Sequence, residues 1–535
     1  MVRSIFKGKE ILSGNEAIAY GAYKAGVKVG AGYPGTPSTQ ILENLKDYPD
    51  IYTEWSVNEK VALEVGIGAS FSGLRTIVTM KHVGLNVAAD PLFTLSYTGI
   101  KGGFVIVTAD DPDAHSSQNE QDNRNYARFA KMPMLEPSDS QEAMEFTELA
   151  FELSEKYDTP ILLRPTTRIC HSKSIVVEKN NPKVKNIEHQ GFTKNPEKYV
   201  MIPAFARRRH IEVEKRIAKI KEDCNTFEIN KIEINSKEFG FITSGICYQY
   251  VKDAFPEASI LKLGMVYPLP IEKIKEFILS VKNVFIIEEL DPFLETEIKA
   301  MGFNIEGKKY LPLTGELNVD IIKNAFSFID NKKSENNEPI VIDIKISPRP
   351  PALCQGCPHR NVFSILRKFG VVVSGDIGCY TLGVMPPFNS LDTCLDMGAS
   401  ITIAHGMDLG GKNGKIVAVI GDSTFAHSGI TGLLNAAYNK RNILVIVLDN
   451  GTTAMTGMQP NPFSGETIKG EETVQFNYEK LAESMGIVGQ NFAIVDAYKP
   501  EDIEQNIDRM LKSDRLSLLI VKGLCVILGS KKRKK

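Results

Sequence analysis

Nothing in this sequence reads as a membrane span or an export signal. No run of 18 apolar residues occurs, and the opening stretch MVRSIFKGKEILSGNEAIAYGAYKAG has no apolar core followed by a cleavage site. An excess of one charge is also missing. Lysine and arginine total 63 against 65 aspartates and glutamates, so nothing argues for a nucleic-acid partner. The one dense basic run is the tail Lys531-Lys-Arg-Lys-Lys535. Cysteine is sparse, with eight in 535 residues, and is spread along the chain rather than concentrated in a disulfide framework. These absences predict a cytoplasmic globular protein that makes no membrane contact and whose cysteines serve metal or cluster ligation. The length implies three or four domains.

The densest signal is residues 421–457, GDSTFAHSGITGLLNAAYNKRNILVIVLDNGTTAMTG. An apolar run over 416–420 ends in Gly421-Asp422-Ser423, a helical segment follows, and a second apolar run over 443–448 ends in Asp449-Asn450-Gly451. This predicts strand, helix, strand, with polar groups at the strand ends, where open α/β sheets bind ligands. One crossover would bring Asp422 and Asn450, 28 positions apart, to neighbouring strand ends. Their oxygens and a nearby backbone carbonyl make a hard donor set suited to Mg²⁺ on a diphosphate. Gly-Asp and Asp-Asn-Gly are equally ordinary turn chemistry, so spacing alone leaves both readings open.

The same alternation recurs upstream. A helix is predicted from Glu16, capped by Ser13 or Asn15, and then a short buried strand over 27–33. The loop Tyr33-Pro-Gly-Thr-Pro-Ser38 follows, its path fixed by two prolines and a glycine. Residues 57–69 have helical spacing and contain both Glu59 and Glu64. A carboxylate near the start of a buried helix is costly without a partner, and an exposed polar-face position suits either residue. Strands at 76–80, 104–108 and 160–164 each lead into a polar loop. The reading is a doubly wound domain over 1–169, then a connecting arm over 170–235 whose charges, Arg207-Arg-Arg-His210 among them, form a solvated face. A smaller α/β domain over 236–330, a polar linker over 331–347, a second doubly wound domain over 348–528 and a basic tail over 529–535 complete the chain.

Five motifs, in one order, carry a resemblance: Gly32-Tyr-Pro-Gly-Thr-Pro-Ser38, Asn58-Glu-Lys-Val-Ala62, Leu353-Cys-Gln-Gly-Cys-Pro-His-Arg360, Gly375-Asp-Ile-Gly-Cys379 and Asp449-Asn-Gly-Thr-Thr-Ala-Met-Thr-Gly457. Over almost its whole length the chain resembles the 2-oxoacid:ferredoxin oxidoreductases, which are thiamine diphosphate enzymes, and within them the α subunits of the indolepyruvate branch. The resemblance implies an α/β fold with a pyrimidine-binding domain, a smaller transketolase C-terminal-like domain and a diphosphate-binding domain. It implies thiamine diphosphate at Gly375, Asp376, Gly421, Asp422, Ser423, Asp449, Asn450 and Thr452, with Mg²⁺ on Asp422, Asn450 and the backbone carbonyl of Thr452. Glu59 takes the role of the carboxylate that protonates the aminopyrimidine ring, and Thr36 that of a substrate-side threonine. His82, His115 and His427 lie on strand-end loops and are candidates for proton transfer or carboxylate contact, though each also suits a satisfied loop histidine.

Cys354, Cys357, Cys379 and Cys525 match the four thiolates that hold a 4Fe–4S cluster in related oxidoreductases. Cys354, Cys357 and His359 would also make part of a zinc site, and free buried thiols are a third reading. Cys170, Cys224, Cys247 and Cys394 lack such spacing and read as core residues.

Two departures shape the expectation. The pyruvate branch has an Asn-Thr-Gly-Gly-Gln context after the metal-binding Asn, where this sequence has Met455-Thr-Gly-Met458-Gln. Losing the amide leaves a more apolar, adaptable pocket that suits an aryl side chain. The branch's α subunit usually continues into a ferredoxin-like domain, whereas this sequence stops at Gly529-Ser-Lys-Lys-Arg-Lys-Lys535. Those clusters are therefore expected on a separate polypeptide, or the electrons on another route. The implied activity is an anaerobic, ferredoxin-linked oxidative decarboxylation of arylpyruvates with coenzyme A, a step of amino-acid catabolism. It would be carried out with a small β subunit in a heterodimer or heterotetramer. The rivals are another 2-oxoacid:ferredoxin oxidoreductase, a non-redox thiamine diphosphate decarboxylase and a non-catalytic scaffold. Retention of Glu59, Asp422 and Asn450 together argues against the last.

Overall fold

The computed structural model describes Phe6 and residues 8–178, 184–185, 191–329, 351–411 and 414–533. The chain divides into two units, Met1–Pro339 and Ile340–Lys535. The expected linker over 331–347 and the last two residues of the basic tail lie outside the described residues.

A seven-stranded sheet forms the centre of the first unit. Its order is Met265–Tyr267, Met134–Leu135, Ile161–Leu163, Phe104–Ala109, Thr76–Lys81, Val29–Gly32 and Tyr52–Trp55. All neighbours are parallel except the first pair. Parallel strands covered on both faces read as near-continuous apolar runs, and Phe104–Ala109 is buried at every position. The flanking helices begin where the sequence supplies caps. Ser13 and Glu16 form a capping box on Gly14–Lys24, so Ser13 rather than Asn15 is the cap. Asn58 accepts from the Val61 amide at the start of Glu59–Phe71, and Asp139 from that of Glu142 at the start of Ser140–Tyr157.

A four-stranded sheet, ordered Asn283–Ile287, Phe239–Ser244, Ser259–Leu263 and Lys231–Glu233, occupies the later part of this unit. It is not sealed off from the large sheet. The strand Met265–Tyr267 leaves it to pair with Met134–Leu135, and one apolar cluster joins Val78, Phe104 and Ile106 to Leu261, Val266, Phe277 and Ile286. Each such side chain contributes about 1.5–3 kcal/mol on burial, so this shared cluster binds the two sheets together.

The arm keeps its expected solvated face in part, with Arg209 and Arg216 as the departures. Lys173–Glu178 pairs with Gly8–Ser13, and Pro203–Asp223 is a helix. Arg207 and Arg208 are exposed, but Arg209 donates to the carbonyls of Tyr97 and Thr98, and Arg216 to those of Ser96 and Tyr97. These are the last carbonyls of the helix Ala89–Thr98, which have no partners within the helix and attract cations.

The second unit holds a five-stranded, wholly parallel sheet in the order Val373–Ser374, Val417–Gly421, Leu444–Asp449, Ser517–Lys522 and Phe492–Asp496. Val417–Gly421 is completely buried. The segment after it opens with the helical turn Asp422–Thr424, passes through a π-helical turn, Phe425–Gly429, and continues as the α-helix Ile430–Tyr438. The last helix, Val526–Lys532, runs through Gly529, so the start of the basic tail is helical. No helix among the described residues is long and apolar enough to cross a membrane.

Candidate functional site

In the first unit the carboxyl ends of Tyr52–Trp55, Val29–Gly32, Thr76–Lys81 and Phe104–Ala109 stand side by side, and their loops carry the candidate residues. Burial separates the two glutamates that the sequence left equivalent. Glu64 is 46% exposed and pairs with Lys60 at the surface. Glu59 is 4% exposed and begins the helix Glu59–Phe71, where unpaired backbone N–H groups favour a carboxylate. Gly84 makes this placement possible, because a β-carbon there would lie 2.7 Å from Cγ and Oε1 of Glu59.

The Thr36 loop is pinned from both sides. The Asn15 amide donates to the Pro37 carbonyl at 2.7 Å, and the Ser38 hydroxyl to that of Gly35 at 2.9 Å. His82 is fully buried, with Nε2 3.2 Å from the Asn119 carbonyl and side-chain oxygen and Nδ1 left without a partner. His115 is placed differently. Its ring is 43% exposed and stands 3.2 Å from Glu316, which also accepts from Arg168, so it belongs to a surface ion-pair group.

The second unit assembles the 421–457 stretch as a polar strand-end cluster. Asp422 and Asp449 lie at the ends of adjacent parallel strands, and Asn450 follows directly. Burial, then the neighbouring Asp449, pushes the Asp422 carboxyl up to about 7. Its hydrogen-bond support is the Asn461 amide at 3.1 Å. Asn450 accepts from the Thr452 amide at 3.1 Å, and its own amide nitrogen lies 3.3 Å from His359 Nε2. Thr453 donates to Ser423 at 2.8 Å, tying the two loops together. A buried carboxylate pair with amide and carbonyl oxygens beside it fits a hard divalent cation, whose charge would offset the desolvation.

Gly421 permits a further close approach. A β-carbon there would lie 2.6 Å from the ring of Tyr380, whose hydroxyl donates to the Ile377 carbonyl. Asp376 has a capping role instead of an open one. Its two oxygens accept from the amides of Ile377, Gly398 and Ser400, and burial raises it to about 6. Gly375 sits beside it against Leu391, and His427 is buried with Nδ1 2.6 Å from the Ser428 hydroxyl.

Cys354, Cys357, Cys379 and Cys525 line one cavity of about 100 Å³, together with His359, Asn450 and apolar side chains such as Leu353 and Val526. Burial raises the Cys357 thiol to about 11, and the three other cysteines add to the rise. Four soft donors around a shared apolar space fit an iron–sulfur cluster, whose cationic irons would take them as thiolates. Among the described residues no three His, Cys, Asp or Glu side chains converge on a point that would hold a single metal ion, Cys354, Cys357 and His359 included. Of the remaining cysteines, Cys170, Cys224 and Cys247 are buried and Cys394 is partly so.

Sequence reasoning missed Asn461, Tyr380 and Gly84 as parts of these sites. A glycine within Lys81-His-Val-Gly-Leu-Asn86 at a strand end was the available signal for the last. Nothing local marked Asn461, 39 residues from the carboxylate it serves.

Comparison with known proteins gives a consistent set of relatives. Residues 20–232 match the family model described as pyruvate flavodoxin/ferredoxin oxidoreductase, thiamine diphosphate-binding, and residues 376–521 match the C-terminal binding domain of thiamine pyrophosphate enzymes. Indolepyruvate oxidoreductase subunit IorA of Archaeoglobus fulgidus is 40% identical over 100% of this chain and 89% of its own length. The subunits of the same name from Pyrococcus horikoshii and Methanothermobacter thermautotrophicus are 41% and 40% identical, each over 97% of this chain and over 86% and 87% of their own lengths. Among solved structures, a 2-oxoglutarate:ferredoxin oxidoreductase from Magnetococcus marinus shares the fold with a TM-score of 0.50 at 15% identity, covering 60% of this chain and 65% of its own.

Proposed function

This chain belongs to the indolepyruvate oxidoreductase subunit IorA family, and we propose that it oxidatively decarboxylates arylpyruvates such as indolepyruvate. Coenzyme A and oxidised ferredoxin are the co-substrates, and arylacetyl-CoA, CO₂ and reduced ferredoxin the products. A small partner subunit completes the enzyme. The observation that carries this reading over a non-redox decarboxylase is the cavity shared by Cys354, Cys357, Cys379, Cys525 and Asn450, which sets four thiols beside the diphosphate loops.

When bound, thiamine diphosphate supplies the nucleophile for a 2-oxo carbonyl, and a 4Fe–4S cluster accepts single electrons. The residues of the chain bind, orient and neutralise. Asp422, Asn450 and the Thr452 carbonyl would hold Mg²⁺, with Gly421 and Ser423 lining the diphosphate turn and Asp449 setting the local negative charge. Glu59 offers a buried carboxyl that exchanges a proton with a ring nitrogen. Thr36 presents a hydroxyl on a loop held by Asn15 and Ser38. His82, buried at a strand end, and His427, buried in the π-helical turn Phe425–Gly429 and not on the expected strand-end loop, are the histidines that could move a proton, whereas the surface ion pair of His115 suits a positioning role. The cysteine cavity also includes Ala454 and Met458 from the 449–459 loop, which supports an apolar surround.

Anaerobic purification with the partner subunit should give brown protein containing iron and sulfide. That protein should reduce viologen in a coenzyme A-dependent manner, with indolepyruvate and phenylpyruvate preferred to pyruvate. Protein free of iron after such a purification would sink the oxidoreductase reading in favour of a decarboxylase.

A further inference from the structure

Lys81 ends the strand Thr76–Lys81 and precedes the short helix His82–Val87. The neighbouring strand Val29–Gly32 pairs Gly32 with Thr79, so Lys81 reaches just past the point where the chain turns into the Thr36 loop. Its stem lies against that loop, since a β-carbon on Gly35 would stand 3.1–3.5 Å from its Cβ, Cγ and Cδ. The ammonium donates to the Ser116 carbonyl at 2.9 Å, and among the described residues it has no carboxylate within ion-pair distance. Asp111 and Glu59 face it from farther away. The Asp111 oxygens are already taken by the Ser116 amide and the hydroxyls of Ser117 and Thr167. Burial outweighs both carboxylates and brings Lys81 down to about 8.

A lysine has three N–H donors, and this half-buried one uses a single donor on a neutral carbonyl. Such a cation, partly desolvated and with donors to spare, is placed to meet an anion. The loops on either side of it carry Thr36 and Glu59, and the substrate class of the proposed function has a carboxylate on the carbon next to its reacting carbonyl.

We infer that Lys81 receives the carboxylate of the 2-oxo acid, holding it beside Thr36 until that carboxylate leaves as CO₂. The assignment rests on the proposed function. Its chemistry predicts a particular kinetic signature. Negative charge leaves the carboxylate as the C–C bond breaks, so the contact gains nothing between the bound substrate and the transition state. Lys81 therefore contributes to substrate capture and not to the maximal rate.

The test uses the anaerobically purified complex with its partner subunit. Lys81→Met should raise KM for indolepyruvate on the order of 10- to 100-fold and leave kcat within a few-fold. KM for coenzyme A, whose phosphates are the other anions in the reaction, should not change. Affinity for indole-3-lactate, a non-reacting carboxylate of the same outline, should fall in parallel, and Lys81→Arg should restore most of it. Lys81→Gln serves where the Met variant folds poorly, with thiamine diphosphate loading as the check on the fold. An unchanged KM for indolepyruvate in a complex whose wild type is active would overturn the assignment. So would a loss of kcat alone, which indicates proton transfer, or a rise confined to the KM for coenzyme A. A wild-type complex inactive on arylpyruvates would overturn the parent reading, and this one with it.

Discussion

In the first unit Arg124 and Arg164 lie fully buried among Asp110, Asp122, Glu136 and Glu288, and in the second Asp422 and Asp449 lie buried beside each other. For Asp122, Asp110, Glu288 and Asp422 the direction follows the guanidinium groups nearby. Burial alone would raise Asp122, but two arginines hold it below the ordinary range. Asp110 and Glu288 each have one close guanidinium, and burial still lifts them. Asp422 has an amide partner and an acidic neighbour, and rises to about 7. The first network is closed within the chain: Arg124 binds Asp122 at 2.5 Å and Glu288 at 2.8 Å, joining the two sheets of that unit. The second is left acidic: among the described residues its one ion pair is the 3.7 Å contact of Lys522 with Asp449. The proposed Mg²⁺ assignment calls for this difference, an acidic cluster that the chain itself leaves without an arginine.

The largest expected effect comes from breaking the closed network. Arg124→Met strands the buried Glu288, leaves Asp122 with Arg164 alone at 3.7 Å, and should cost about 3–5 kcal/mol in chemical denaturation of the cofactor-free protein. A loss below 1 kcal/mol would mean that the network is not what joins the sheets. Opening the acidic cluster acts on binding instead. Asp422→Ala should weaken Mg²⁺-dependent thiamine diphosphate binding, measured by titration calorimetry, by more than the roughly 100-fold that outer-shell changes cost. Unchanged binding would refute the metal assignment.

Gly84→Ala forces a β-carbon against Glu59, an overpacking of about 1–3 kcal/mol. It should lower kcat while thiamine diphosphate affinity stays within a few-fold, and equal loss of both would detach Gly84 from the Glu59 carboxyl. The smallest effect concerns pH. Between 3.8 and about 7 the folded cofactor-free unit binds more protons at Asp422 than the unfolded chain does, so stability falls as pH rises through that window. Asp422→Asn should flatten the fall and raise the cofactor-free melting midpoint at pH 7 by a few degrees. An unchanged slope would assign the titration to another group.

The acidic cluster was legible because its residues sit at strand ends within one crossover, and strand ends follow from apolar runs. Asp422, Asp449 and Asn450 could be placed together for that reason, and the parallel sheets followed from the same runs. The closed network was not legible. Arg124 and Glu288 are 164 residues apart and neither stands in a motif. The conspicuous basic run at 207–210 was the misleading signal, since its Arg209 and the later Arg216 cap a helix instead of facing solvent. Spacing could not choose between Glu59 and Glu64 either. That choice depends on which helix face meets Gly84, a contact between the first turns of two helices.

The strand Met265–Tyr267 also has a consequence during synthesis. Its partner Met134–Leu135 leaves the ribosome about 130 residues earlier, and until Tyr267 follows, the large sheet has an uncovered margin there. At typical elongation rates that interval lasts roughly 7–26 s, long enough for an unpaired strand to find another nascent chain. The exposed span is only two residues, which gives a foreign strand little to grip. Recruiting the closing strand from far downstream is tolerable because the waiting margin is so short.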